Sequence, residues 1–394
     1  MTSRLLASFL ILSLNLWPFG TGRPNAEIKR TSIEIPKGDE IKNYEIVKIS
    51  LGNFSTVTIA TVGSYKVLDK DSKTLFTGLK MAPTQVRAAA AGIQIGKQSF
   101  SEVPLTILTD NLVKVGGKGY RRALKLWKEG TGLLVVNEIM MEDYLKGVLP
   151  VEASASWPLE SLKTQAIASR SYALFQSIDK KDKKFALSKD VLSQVYGGKE
   201  SEHDQTNLAV ETTRGQVLTF NGKLFPAYFH STCGGKTTQA ENVWDVEPNK
   251  VFRGIDCNFC WSSKHYRWTS SYTSADILKR LKIKGVKMGA IQNIQVGEMD
   301  KSGRARSFIV VHDQGQIKFQ SNDFRIWMDP MKFKSTMVTE IAKTKNGFVF
   351  EGKGWGHGVG VCQFGMRQLA KLGYTSKQIL EYYYPGSEII KIQE

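Results

Sequence analysis

The sequence predicts an α+β fold of two packed lobes, a β-rich N-terminal region followed by a mixed α/β region. Three observations carry this. Residues 45–140 alternate apolar and polar side chains in short runs parted by turn residues, the pattern of half-buried strands. Leu159, Leu162, Ala166, Ile167 and Ala173 instead fall near a 3.6-residue period, one buried stripe of a helix. At 394 residues the chain also exceeds what one hydrophobic core usually supports, so two domains are expected.

Arg4 and the nearly unbroken apolar run Leu5 to Trp17, ahead of Pro18 and Gly20, read as a secretion signal over residues 1–22. The run is shorter than the ~20 residues a spanning helix needs, and no later segment is apolar enough to span. Residues 23–44 are polar and mixed, the composition of a linker. From Tyr44 the runs IVKISLGNF and STVTIATVGSYKVLD predict strands, as do Ile93–Ile95, Val103–Ile107 and Leu133–Val136. Gly116 to Gly119 predicts a hairpin turn into the strand YRRALKLW. This part, residues 45–140, offers no catalytic residue of its own.

Residues 141–394 begin with a helix from Met141 to about Leu149, which leads into a loop carrying Glu152. Pro158 suits the first position of the main helix, where its missing N–H goes unmissed, and Glu160 favours the positive end of the dipole. That helix is expected to reach about Ser177. Strands follow at Gln216–Phe220, Leu224–His230, Ala290–Val296 and Ser307–His312, with helices at Ser274–Leu281 and Ser321–Trp327. Thr375 and Gln378 form a capping box for a helix through Tyr383; Pro385-Gly386 stops it and a closing strand ends the chain.

Lys and Arg number 54 against 37 Asp and Glu, a net charge of +17. Such an excess favours polyanions: nucleic acid, anionic lipid, or a wall rich in carboxylate and phosphate. Export argues against nucleic acid, and no nucleic-acid-binding module is recognisable. Because the lysines are scattered, plain solubility is the competing explanation.

Three separated segments carry a resemblance. GVLPVEASASWPLESLKTQAIASRSYAL (Gly147–Leu174), FHSTCGG (Phe229–Gly235) and GKGWGHGVGVCQFGMRQLAKLGY (Gly352–Tyr374) resemble, in the same order, the motifs of the SpoIID/LytB family. These are bacterial cell-wall proteins of sporulation and of amidase enhancement, and the resemblance covers roughly residues 45–394. Cys362 departs from it where Ser is common, and Met366 where Ala is common.

The resemblance implies that Glu152 is the catalytic acid of a lytic transglycosylase, which cuts the MurNAc–GlcNAc bond of peptide-stripped peptidoglycan strands. The chemistry needs little else that ionises. The carboxyl protonates the glycosidic oxygen, then as carboxylate takes the proton of the sugar's own C6 hydroxyl, which closes a 1,6-anhydro ring. Ordinary glycosidases usually need a second carboxylate; an intramolecular hydroxyl supplies its own high effective concentration. Against this stands a Glu152 that only caps a helix or pairs with Lys163 or Arg170. The other functional class is a non-catalytic wall-binding protein that enhances an N-acetylmuramoyl-L-alanine amidase. Both predict an exported protein of the periplasm or cell wall, with glycan strands and an amidase or wall-remodelling complex as partners.

Lys163, Gln165 and Arg170 match the family's polar helix positions and are expected to hold sugar hydroxyls or a lactyl carboxylate, with a structural ion pair as the competing role. Tyr196, in the turn Gln194–Gly198, is either a surface for a sugar or a core tyrosine. His357 and Gln363 belong to the glycine-dense run Gly352–Gly365 and are expected to face the same cleft as Glu152. That run lacks the Gly-Lys-Ser/Thr ending of a phosphate loop, so neither nucleotide nor any other organic cofactor is implied. His230-x-x-Cys233 and Cys257-x-x-Cys260 have the spacing of two half-sites for a closed, structural zinc, with His265 as an alternative ligand. A disulfide is the other reading in an oxidising compartment. Cys362 reads as a small buried residue.

Overall fold

The computed structural model describes residues 28–189 and 194–392; the expected signal at 1–22 lies outside them. The α+β class holds. Strands Ile46–Phe54, Gly132–Met140, Lys118–Glu129 and Leu105–Val115 lie side by side in that order, each antiparallel to its neighbour. Their alternating apolar side chains face a core containing Val47, Ile49, Leu124, Leu126, Val135 and Ile139. Gly116 and Gly117, both at positive φ, make the expected hairpin turn. Shorter strands, from Thr56–Thr61 to Gln98–Phe100, extend the sheet away from the helices.

The last of the long strands runs straight into helix α1 (Met141–Glu152), anchored where Met141 N donates to Glu45 O. Tyr144, Leu145, Val148 and Leu149 form its buried face. Helix α1 runs three residues further than expected, so Glu152 is its last residue and not part of a loop. Pro150 sits inside its final turn, and Ala153 leaves helical geometry at φ −136° and ψ 126°. Helix α2 (Leu159–Asp179) follows, with Pro158 as its extended N-cap instead of its first helical residue. Helix α3 (Asp204–Thr212), which the periodicity did not announce, packs against both.

Residues 28–44, expected as a linker, are held in place. Ile33 and Leu224 exchange backbone hydrogen bonds of 2.9 Å each way, and Asn249 donates to Thr31 O. The expected strand Leu224–His230 is two fragments, Lys223–Leu224 and Phe229–His230, parted around Pro226, which has no N–H to give a ladder.

The two cores divide elsewhere than at residue 140. One core runs continuously from the N-terminal sheet through α1 and α2 to the C-terminal helices. The second belongs to an inserted unit between Arg267 and Lys353, built on Phe308, Phe324, Phe333, Phe348 and Phe350. It contains two three-stranded antiparallel sheets with α4 (Ser274–Ile283) and α5 (Ser321–Trp327). The chain then returns to the main body for α6 (Gln363–Lys371), α7 (Ser376–Tyr383) and the strand Glu388–Lys391, which pairs with Gln216–Phe220. Among the described residues no helix is long and apolar enough to cross a membrane.

Candidate active site

Glu152 is half-buried at the C-terminal end of α1. Its Oε1 accepts from Val195 N at 2.9 Å and its Oε2 from Gln363 Nε2 at 3.2 Å. Burial pushes its carboxyl above the ordinary value of 4.5, while these two donors pull it partly back. Among the described residues no cation contributes to that balance. The segment that supplies Val195 is docked on α1 through a glycine. Gly197 N and Ser201 Oγ both donate to Gly147 O, and a Cβ at Gly147 would stand 2.6 Å from the Tyr196 ring. Gly147 thus admits Tyr196, and Tyr196 brings its neighbour's N–H to the carboxylate.

Behind the acid lies a buried amide network. Gln363 Nε2 also donates to Gln165 Oε1 at 3.4 Å, and Gln165 Nε2 to Ser169 Oγ at 3.1 Å. Gln194 accepts from Tyr144 OH at 2.8 Å and donates to Ser169 O. Gln165 and Gln363 are therefore brought together with Glu152. Val195, Gln194 and Tyr144 were missed, since a backbone donor and second-layer side chains carry no signature in the sequence.

The cations of α2 are engaged elsewhere. Lys163 pairs with Glu160 at 2.7 Å, and Glu160 also accepts from Ser376 N. Burial alone would raise the Glu160 carboxyl, but Lys163 and Ser376 hold it below its ordinary value. Arg170 is fully buried. It donates to both oxygens of Glu142 at 2.8 and 2.7 Å, and to Val210 O, Gln216 O and Thr213 Oγ1. With all five N–H groups engaged, it offers none to a sugar. Tyr196 likewise lies in the core, its hydroxyl donating to Asn137 Oδ1 and its ring between Tyr120 and Tyr144.

The glycine-dense run is filled by the protein itself. Gly354, Gly356, Gly358 and Gly360 all have positive φ, and a Cβ at Gly356 would lie 2.7 Å from that of His230. The run has to pass closely over Tyr228–Cys233, with which Thr232 and Trp355 exchange backbone hydrogen bonds. His357 is packed among Tyr228, His230 and Trp244, its Nδ1 accepting from Val359 N. Burial, then nearby His230, depresses its pKa well below the usual histidine range. Its neighbours are thus aromatic, and among the described residues it makes no hydrogen bond to the Glu152 carboxylate.

The sulfur atoms of Cys233, Cys257, Cys260 and Cys362 all lie within 4.8 Å of one another, and all four residues are buried. The gathered donors include Cys362, which the expected set left out, and not His230, whose Nε2 is buried without a hydrogen-bond partner. The parallel pairing of Phe229–His230 with Val361–Cys362 delivers the fourth sulfur from far along the chain. His230 instead directs Nδ1 to Val359 O at 3.1 Å, and burial lowers its pKa to about 3. His265 pairs with Lys334 Nζ and packs on Trp355. The cysteines are free, with Cys233 and Cys260 sulfurs 3.4 Å apart, beyond a covalent bond. Tetrahedral zinc–thiolate geometry puts sulfurs ~3.8 Å apart, so the donor set fits a closed metal site. Cys233 N donates to Cys362 Sγ at 3.2 Å, the kind of outer-layer bond that steadies a metal-bound thiolate.

Comparisons with known proteins place these segments among relatives. Residues 129–220, which contain α1 and α2, match the family described as Stage II sporulation protein. Residues 240–360 match a domain of unknown function. An uncharacterized protein of Brachyspira hyodysenteriae is 31% identical over 351 residues, covering 88% of this chain and 94% of that protein. An amidase enhancer of Bacillus subtilis is 30% identical over 289 residues, covering 62% of this chain and 40% of that protein. Stage II sporulation protein D of Bacillus subtilis is 27% identical over 269 residues, covering 64% and 75%.

Proposed function

Because the chain belongs to the SpoIID family, we propose that it is an exported peptidoglycan lytic transglycosylase with Glu152 as its only acid and base. The observation that supports this best is a half-buried carboxyl held by two neutral donors, with no cation beside it among the described residues. A cation would keep the group ionised; burial favours the protonated form that can donate to a glycosidic oxygen. The Gln363 amide can turn over, so that its carbonyl accepts from the protonated Oε2 and its amino group returns once the proton has left. Val195 N keeps Oε1 fixed throughout. The carboxylate then recovers the C6 hydroxyl proton as that oxygen closes on C1. Bond breaking and ring closure share one group, which conserves the proton overall.

The test is digestion of purified glycan strands, peptide-stripped, by wild type and Glu152→Gln, with 1,6-anhydro ends read by mass spectrometry. Product from wild type that falls at least ~100-fold in the variant supports the enzyme. A second reading, a wall-binding protein that stimulates an amidase, is favoured by the relative named amidase enhancer. It expects no anhydro ends from either protein, with wall binding and amidase stimulation intact in the variant.

For the cysteine cluster we propose a structural zinc. Four protein ligands leave no open position for water, so its contribution is to fold. Bound there, it would tie the segments around Cys233 and Cys257–Cys260 to the start of α6, and so fix the helix that carries Gln363.

A further inference from the structure

Arg367 lies on α6 one turn beyond Gln363, at the i+4 position that shares its face. Its guanidinium carbon stands 5.5 Å from the centre of the Trp157 ring, and Trp157 meets Phe364 edge-on with centroids 5.5 Å apart. Its Nε is buried and has no hydrogen-bond partner, and no carboxylate among the described residues pairs with it. Arg170, by contrast, has every donor engaged. Nor does Arg367 act on the acid, since burial and two neutral donors account for Glu152. A guanidinium braced on an aromatic ring, partly shielded from water and lacking an acceptor, is a receptor for a carboxylate, which it can bind through two parallel hydrogen bonds.

We propose that Arg367 determines substrate specificity by binding a carboxylate on the sugar seated beside Glu152. On a muramic-acid ring that group is the free lactyl carboxylate. An attached stem peptide converts it to a neutral amide, which cannot accept a charge-assisted bidentate pair. The inference rests on the glycan-binding reading of the Glu152 site, and adds to it the residue that senses whether the strand has been stripped.

Binding separates the two ideas. Soluble glycan fragments are prepared with free lactyl carboxyls, and a second portion is amidated. Each is titrated calorimetrically into Glu152→Gln protein and into the same protein carrying Arg367→Gln. The expected result is at least about tenfold tighter binding of the free-acid fragments by the first protein, and a ratio near one for the second. Arg367→Lys, which keeps charge but loses the fork, is expected to fall between, and serves if the Gln variant does not fold. An unchanged ratio in Arg367→Gln, or no preference in the parent, overturns the proposal. Absence of anhydro ends from wild type, with the binding preference intact, would defeat the transglycosylase reading and leave Arg367 as the carboxylate receptor.

Discussion

Gln363 and Glu152 stand 211 positions apart in the chain and meet at 3.2 Å between Nε2 and Oε2. The contact joins the end of α1 to the start of α6, so the state of the acid depends on how the C-terminal helix is seated. Gln363→Leu removes a donor that favours the carboxylate. The Glu152 carboxyl should then rise further, and the alkaline limb of the pH–rate profile should move up with it. The rate itself is expected to fall about tenfold to a hundredfold, the equivalent of the ~1.5–3 kcal/mol of a hydrogen bond to a charged group. A pH profile of anhydro-end formation checks both.

Glu152 should also cost the fold stability at neutral pH. Its folded pKa is raised by burial, so its contribution to stability is fully present below the unfolded value and is lost as pH rises through the folded value. Glu152→Gln is therefore expected to melt higher than wild type, with a gap that widens from pH 4 to pH 8. Calorimetric melting temperatures at the two ends of that range decide it. A gap that shrinks with pH would contradict the placement of the acid.

Gly147→Ala improves helix propensity on paper by ~1 kcal/mol, yet its Cβ would press on the Tyr196 ring at 2.6 Å. Overpacking of that kind costs about 1–3 kcal/mol. The expected outcome is a net loss of stability in denaturant melts. Activity should fall further than stability does, because displacing Tyr196 carries Val195 N away from Glu152. Tyr196→Leu in the same background, which frees space, is expected to recover stability.

Arg170→Met leaves Glu142 buried and unpaired, and should destabilise the protein by ~3–5 kcal/mol. Replacing both partners with apolar residues is expected to restore much of that. Equilibrium unfolding of the single and double variants tests whether Arg170 serves the fold alone.

Cys362→Ala should lower bound zinc to below about 0.2 per chain, whereas His230→Ala should leave about one. Elemental analysis of protein purified without imidazole distinguishes them. Retained metal in the first variant, or lost metal in the second, would reinstate the histidine-containing set.

Where local chemistry decided the structure, the sequence could be read closely. The capping box at Thr375 and Gln378 is present, with both of its reciprocal hydrogen bonds, and the strand Gln216–Phe220 begins and ends where its alternation does. Glu152, Gln165 and Gln363 were identified as candidates from motifs, and the fold brings them together. Cys362 was not placed with the other cysteines because only the parallel bridge between Phe229–His230 and Val361–Cys362 brings its sulfur to them. Four cysteines, the number a closed tetrahedral site needs, was the available hint. Arg170 and Tyr196 each stayed open between a ligand contact and a structural role, because polar residues beside a candidate acid read alike whether they face a cleft or a core. Only burial separates the two, as Glu142 and Asn137 show. The inserted unit escaped because its ends carry no composition shift.

That unit has a further consequence. Gly354 N donates to Tyr266 O, and Arg267 lies opposite Lys353, so the chain departs and comes back through one narrow neck. Joining the main body across this neck closes the same gap whatever the length of chain beyond it. Loops of the unit that do not touch the main body, as Arg304 does through Cys233 O and Lys236 O, can be lengthened or shortened at little entropic expense to the body that holds Glu152.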